Sequence, residues 1–250
     1  MSQKIVFLSG LAGTAAAWEP LAELCADYTL GVPKVPWSVG NSDWQHNLTD
    51  VSDFLARSCS GADVVVAHSF AATLLLEYLA TSTLHGRAVP GAAVLVSTFY
   101  RPNTHDFRWA DIEHFLTHFD QILTSGIHAS STRTLGAERA GDMGRIVREQ
   151  IGPYGWMAFY SAYLRTPLLN LSAVSCPVSL VHGAEDSAAP VQDSRALADS
   201  FDSAGLHVLT GIGHFPMKDA SGSVFEAICS VMSESVLTMG ARPSREGAFR

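Results

Sequence analysis

Three short segments of this sequence hold residues that could make and break a covalent bond. The first runs Val64-Val65-Val66-Ala67-His68-Ser69-Phe70-Ala71. An apolar stretch leads straight into a helical pattern, with a serine at the corner. So sharp a strand-to-helix turn forces the corner residue into a strained backbone and lifts its Oγ off the sheet edge. The turn has room only for small residues two before and two after the serine. Both are alanines here, Ala67 and Ala71, where the usual pattern has glycine. Ser69 could therefore act as a nucleophile, or could merely cap the following helix.

The second segment is Val181-His182-Gly183-Ala184-Glu185-Asp186, followed by Pro190. A strand ends in a glycine turn and an acid follows. Asp186 there could orient an imidazole, or could serve as a turn residue. Glu185 is the competing carboxylate, and register from the glycine favours Asp186. The third segment is Gly211-Ile212-Gly213-His214-Phe215-Pro216, a histidine on a glycine-flanked loop. The three occur in the order nucleophile, acid, histidine, each just after an expected parallel strand. In open α/β sheets, chemistry collects at that edge. A neutral serine hydroxyl is a weak nucleophile and needs an adjacent base. His214 would take the Ser69 proton, and Asp186 would hold the imidazole tautomer.

The elements that must position these residues are legible as well. Short β-rich apolar runs alternate with amphipathic stretches, which predicts an α/β fold: a mostly parallel central sheet with helices on both faces. Strands are expected at Lys4–Leu8, Tyr28–Val32, Asp63–Ala67, Ala92–Ser97, Val178–His182 and Leu206–Thr210. Helices are expected at Ala15–Ala26, Gln45–Cys59, Phe70–Thr81, Val191–Phe201 and Ser223–Leu237. Runs such as Val64-Val65-Val66 are continuous, as strands covered on both faces should be. Residues 1–97 and 174–240 would form this core. Residues 98–173 break the rhythm: they hold no clear strand and are dense in aromatic residues and histidine. They read as a helical cap or lid over the serine. Most of its aromatics should pack it onto the core, and Trp109, Phe115, Trp156 and Tyr160 are the candidates to line a substrate pocket. Residues 241–250 read as a flexible tail.

On these motifs the sequence resembles the α/β-hydrolase superfamily. Phe7-Leu8-Ser9-Gly10-Leu11-Ala12-Gly13 is similar to the family's H-G-x-x-G loop, with Ser9 in place of the histidine. The resemblance implies an oxyanion hole made by the main-chain N–H groups of Leu11 and Phe70. It also implies a Ser69–His214–Asp186 triad working through an acyl-enzyme, with no metal or organic cofactor. The family's D-x-P-G-x-G-x-S stretch is altered to Val32-Pro33-Lys34-Val35-Pro36-Trp37-Ser38-Val39-Gly40, which should reshape one rim of the pocket.

Composition sets the outer bounds. Of the 250 residues, 47% are apolar and 16% charged, a globular composition. The net charge is −8 and no Lys/Arg run occurs, so nucleic acid and anionic membranes are not expected partners. No window reaches the length of a membrane span. Cys25, Cys59, Cys176 and Cys229 are scattered without metal or disulfide spacing, so a reducing cytoplasm is the default. His114 and His118 lie four apart but lack the Glu of a zinc motif.

The expected function is hydrolysis of an ester, thioester or lactone in a small-to-medium hydrophobic substrate, by a monomer or homodimer. Two other readings stay open. One is a lyase, C–C hydrolase or cyclase using His214 as general base. The other is a non-catalytic small-molecule binding protein on the same scaffold.

Overall fold

The computed structural model describes residues 2–39, 48–131 and 135–240. Its strands are β1 (Lys4–Leu8), β2 (Thr29–Gly31), β3 (Val64–His68), β4 (Ala92–Val96), β5 (Val178–Gly183) and β6 (Ala204–Leu209). They form one six-stranded sheet in the order β2-β1-β3-β4-β5-β6, with every neighbouring pair parallel. All six coincide with the apolar runs, and only their ends move. The edge strand β2 loses Tyr28, whose ring packs edge-on against Phe225. The other edge strand, β6, begins earlier than expected because Ala204 pairs with Val178.

Parallel strands place all their carboxyl ends on one edge of the sheet. That is why residues far apart in sequence, after β1, β3, β5 and β6, converge there. Both sheet faces are covered. Val65, Ala67, Ala93 and Leu95 point into one buried cluster, and Val64, Val66, Ala92, Val94 and Val96 into another. The continuous valine run is thus two alternating sets. Each fully buried valine or leucine contributes about 1.5–3 kcal/mol of transfer free energy.

The helices on the core are α1 (Glu19–Leu24), α2 (Leu48–Cys59), α3 (Phe70–Ser82), α6 (Val191–Asp199), α7 (Pro216–Asp219) and α8 (Ser221–Gly240). The helix expected over Ala15–Ala26 is instead a 3-10 turn, Ala15–Trp18, followed by α1. Pro20 explains the break. It lacks the N–H that a continuous helix would need, and its ring would strike the preceding turn. The expected start of α2 at Gln45 lies outside the described residues, as does the expected tail at 241–250.

Between β4 and β5 stand two long helices, α4 (Trp109–Ser130) and α5 (Ala137–Arg165). α5 bends at Gly152, whose φ is 65°, just before Pro153. The base of this insertion belongs to the core. Phe115, Phe159, Tyr160 and Tyr163 join the buried cluster that contains Phe70 and Phe99. Arg165 adds a two-pronged pair with Glu77 of α3, both contacts at 2.8 Å. Among the described residues no helix is long and apolar enough to cross a membrane.

Candidate active site

Ser69 sits at the corner between β3 and α3 with φ 57°, in the left-handed region that non-glycine residues avoid. Such a conformation costs roughly 1–3 kcal/mol and persists only where its surroundings hold it. Here the hold is visible. Ser69 N–H donates to Val96 O at 2.8 Å, and Ser69 O accepts from Ala72 and Thr73 of α3. Ala67 and Ala71 are completely buried, so the elbow is as tight as its sequence predicts. Gly10 crosses directly over it. A Cβ on Gly10 would lie 3.0 Å from Ser69 Cβ and 3.2 Å from His68 O.

His214 follows β6 and precedes α7. Its Nε2 lies 3.0 Å from Ser69 Oγ, and its Nδ1 lies 2.7 Å from Asp186 Oδ2. A carboxylate only accepts, so Nδ1 carries the proton and Nε2 presents its lone pair to the serine hydroxyl. Asp186 lies just after β5, with its side chain fully buried. Its Oδ1 accepts from the N–H groups of Ala188 at 2.8 Å and Ala189 at 2.9 Å. Burial would push its carboxyl up. The His214 and His182 imidazoles and the Ala189 amide outweigh that and hold it far below the usual carboxylate range. Glu185 is exposed and turns the other way, accepting from Gly211 N–H at 3.1 Å. The loops bearing Asp186 and His214 meet at Gly183, where a Cβ would come within 2.2 Å of Gly213 O. Only glycine permits that approach.

Two further histidines, unassigned by sequence reasoning, brace this arrangement. His68 is buried and its Nε2 donates to the main-chain O of His214 at 2.7 Å. Burial, reinforced by the neighbouring His214, lowers its pKa to about 3, so it stays neutral. His182 Nε2 donates to Ala189 O at 2.9 Å and lies 3.3 Å from Asp186 Oδ2, while its Nδ1 accepts from Ser194. The available signal was position: each stands at the end of a strand that carries a site residue.

Leu11 lies in a turn closed by Gly13 N–H donating to Gly10 O, and Phe70 opens α3. Both line the cavity above Ser69. The altered stretch near Trp37 supports this loop. Trp37 Nε1 donates to Ser9 O at 2.8 Å, and Ala12 N–H donates to Trp37 O at 3.2 Å. Ser9, standing where the family has histidine, accepts from Trp18 Nε1 at 2.9 Å.

The cavity has a volume of about 510 Å³ and its walls are mainly apolar. Ser69, His214 and Phe99 form its floor, and Phe119, Leu123 and Ile127 of α4 one wall. The four aromatics expected to line it do not do so among the described residues. Trp109 opens α4 and is 81% exposed. Phe115 and Tyr160 are packed in the aromatic cluster beneath the insertion, and Trp156 stacks on Tyr160 at 5.2 Å. Aromatic density marked the seam between insertion and core, whereas the cavity wall is the Phe119, Ile122, Leu123, Gly126, Ile127 face of α4. Its helical spacing was the signal that could have found it. Among the described residues no cysteine lines the cavity, and burial raises Cys25 and Cys176 to about 11 and Cys59 to about 12.

The fold and this site define a class. The alpha/beta hydrolase family model matches residues 5–227, and the chain belongs to that family. Solved structures agree on the fold. A carboxylesterase of the thaumarchaeon Nitrososphaera gargenis superposes with a TM-score of 0.62 at 16% identity, over 95% of this chain and 92% of that one. A Bacillus megaterium epoxide hydrolase gives 0.63 at 10% identity, over 93% and 94%. A thioesterase domain from the curacin biosynthetic pathway gives 0.58 at 15%, over 92% and 91%. No curated protein sequence matches the chain. At these identities the neighbours speak to the fold alone.

Proposed function

We propose that this chain is a serine hydrolase of an ester, thioester or lactone bond in a small-to-medium hydrophobic substrate. The observation that carries the reading is the hydrogen-bonded series Ser69–His214–Asp186, at 3.0 and 2.7 Å, on the floor of an apolar cavity. Ser69 Oγ attacks the substrate carbonyl as His214 Nε2 accepts its proton. Asp186 fixes the tautomer and stabilises the imidazolium that forms. The main-chain N–H groups of Leu11 and Phe70 take the developing oxyanion, each worth about 3 kcal/mol. His214 then returns the proton to the leaving group. Water attacks the acyl-enzyme with His214 again as base, and the acid leaves. Residues 1–97 and 174–240 act as the catalytic core, and 98–173 as a cap that sets which acyl groups enter. A low-dielectric cavity strengthens each of these polar contacts over its value in water.

The test is a fluorophosphonate probe together with a panel of acyl esters and thioesters of graded length. Wild type should be labelled at Ser69 and turn over members of the panel, and Ser69→Ala should lose both. Full turnover by Ser69→Ala would sink the nucleophile and point to base catalysis by His214. Saturable binding with no turnover by wild type would point to a receptor.

A further inference from the structure

The cavity above Ser69 carries a positive charge that an apolar ligand does not need. Leu135, Arg139, Met143 and Val147 recur at every fourth position, and all line the cavity from the α5 side. A helix face that walls an apolar cavity is expected to be apolar throughout. Arg139 interrupts that stripe. Apart from the imidazoles of His68 and His214, it is the only ionisable side chain among the described residues that line the cavity.

α5 holds four arginines. Arg145 pairs with Asp142, Arg148 with Asp120 and Glu149, and Arg165 with Glu77. Among the described residues Arg139 makes no ion pair. It is exposed and lines the cavity, so it stands where the cavity that holds Ser69 meets solvent. A chain of net charge −8 repels anions at long range, and a local cation is what could hold one at the mouth. Guanidinium matches planar oxyanions through paired N–H donors.

We infer that Arg139 binds an oxyanion, carboxylate or phosphate, on a substrate whose apolar body extends down to Ser69. That Ser69 then attacks this substrate rests on the hydrolase reading above, whereas the binding does not.

Binding is measured by calorimetry with decanoate, decyl phosphate and decanol on the wild type, Arg139→Gln and Arg139→Glu. At least one of the two anions should bind the wild type roughly fivefold or more tighter than decanol, as a partly exposed charge-assisted pair allows. That advantage should vanish in Arg139→Gln and reverse in Arg139→Glu, while decanol affinity stays constant. The anion with the larger advantage identifies the head group. Equal affinity for all three ligands, or an anion advantage that survives in Arg139→Gln, overturns the proposal, as does failure of every ligand to bind. Fluorophosphonate labelling of Ser69 is scored separately. An Arg139-dependent anion advantage in a chain that resists the probe would remove the hydrolase reading and keep this one.

Discussion

His182 Nε2 lies 3.3 Å from Asp186 Oδ2, the same carboxylate oxygen that His214 Nδ1 approaches to 2.7 Å. With the amides of Ala188 and Ala189 on Oδ1, the buried carboxylate faces four N–H groups, His182 sharing its single Nε2–H between Ala189 O and Oδ2. A carboxylate so held neither rotates nor takes up a proton. In the proposed mechanism His182 therefore acts through Asp186, as a positioning residue. Removing a donor to a charged group costs about 1.5–3 kcal/mol. His182→Leu should thus lower kcat by about ten- to a hundred-fold with KM little changed. His182→Gln, which retains an N–H donor, should recover part of the loss. Steady-state kinetics on both variants, with melting curves to monitor the fold, decide the matter. Equal activity of Leu and Gln variants would reduce His182 to a packing residue.

Gly10 makes a second prediction. An alanine there needs the loop to retreat by a few tenths of an ångström from Ser69 Cβ and His68. That loop carries Leu11, so the retreat moves one proposed oxyanion donor away from the reacting carbonyl. Gly10→Ala should reduce kcat by about a hundred-fold, close to the loss of one donor, with Ser69 and His214 intact. Gly61 supplies the control for a general effect of added side chains. Its φ is 66° but no atom lies within 4 Å of the Cβ position, so Gly61→Ala should weaken stability alone. Matching kinetic losses in the two variants would discard the geometric explanation.

The sequence was informative where local physics decides. A continuous valine run between helical stretches admits few readings other than a strand covered on both sides, and all six strands were found. Ser69 was legible because a strand running directly into a helix leaves a corner only small neighbours tolerate. Register favours Asp186 over Glu185, and in the structure Asp186 meets His214 Nδ1 while Glu185 meets Gly211 N–H. What stayed hidden depends on tertiary packing. Pro20 broke a helix that amphipathic spacing alone would continue. Phe115 and Tyr160 look the same in sequence whether they line a cavity or fill a seam. His68 and His182 acquire their roles only when the fold brings His214, after β6, to the one, and Ala189 and Ser194, before and within α6, to the other.

The cavity wall gives a third prediction. Gly126 of α4 lines the cavity, and a Cβ there would make ordinary contact with Phe215 Cζ at 3.5 Å. Gly126→Phe therefore has room to begin its side chain but must extend it into the substrate space. Activity on short acyl esters should persist, and kcat/KM for long ones should fall by about tenfold or more, since a pocket discriminates most sharply by steric exclusion. A chain-length profile unchanged from wild type would place the acyl group elsewhere.

The seam beneath the insertion predicts a pH effect on stability. Asp193 is 2% exposed and joins three elements. Its Oδ2 accepts from Tyr163 Oη at 2.6 Å and Tyr100 N–H at 3.1 Å, and its Oδ1 lies 3.3 Å from Arg101 Nε. Burial pushes its carboxyl up to about 6, against the pull of Tyr163 and Arg101. An unfolded aspartate titrates near 3.9. The folded chain thus holds this proton more tightly, and stability contributed by the group is greatest below about 4 and lost as pH rises through about 6. Asp193→Asn cannot titrate. It destabilises at every pH, because its amide faces donors where the carboxylate had acceptors. The gap between wild type and variant should be widest near pH 4 and shrink towards pH 7 by up to about 3 kcal/mol. Urea unfolding of both proteins at four pH values across that range measures it. A gap that stays constant would show that Arg101 and the tyrosines keep Asp193 ionised throughout, and a gap that widens with pH would reverse the sign of the burial argument.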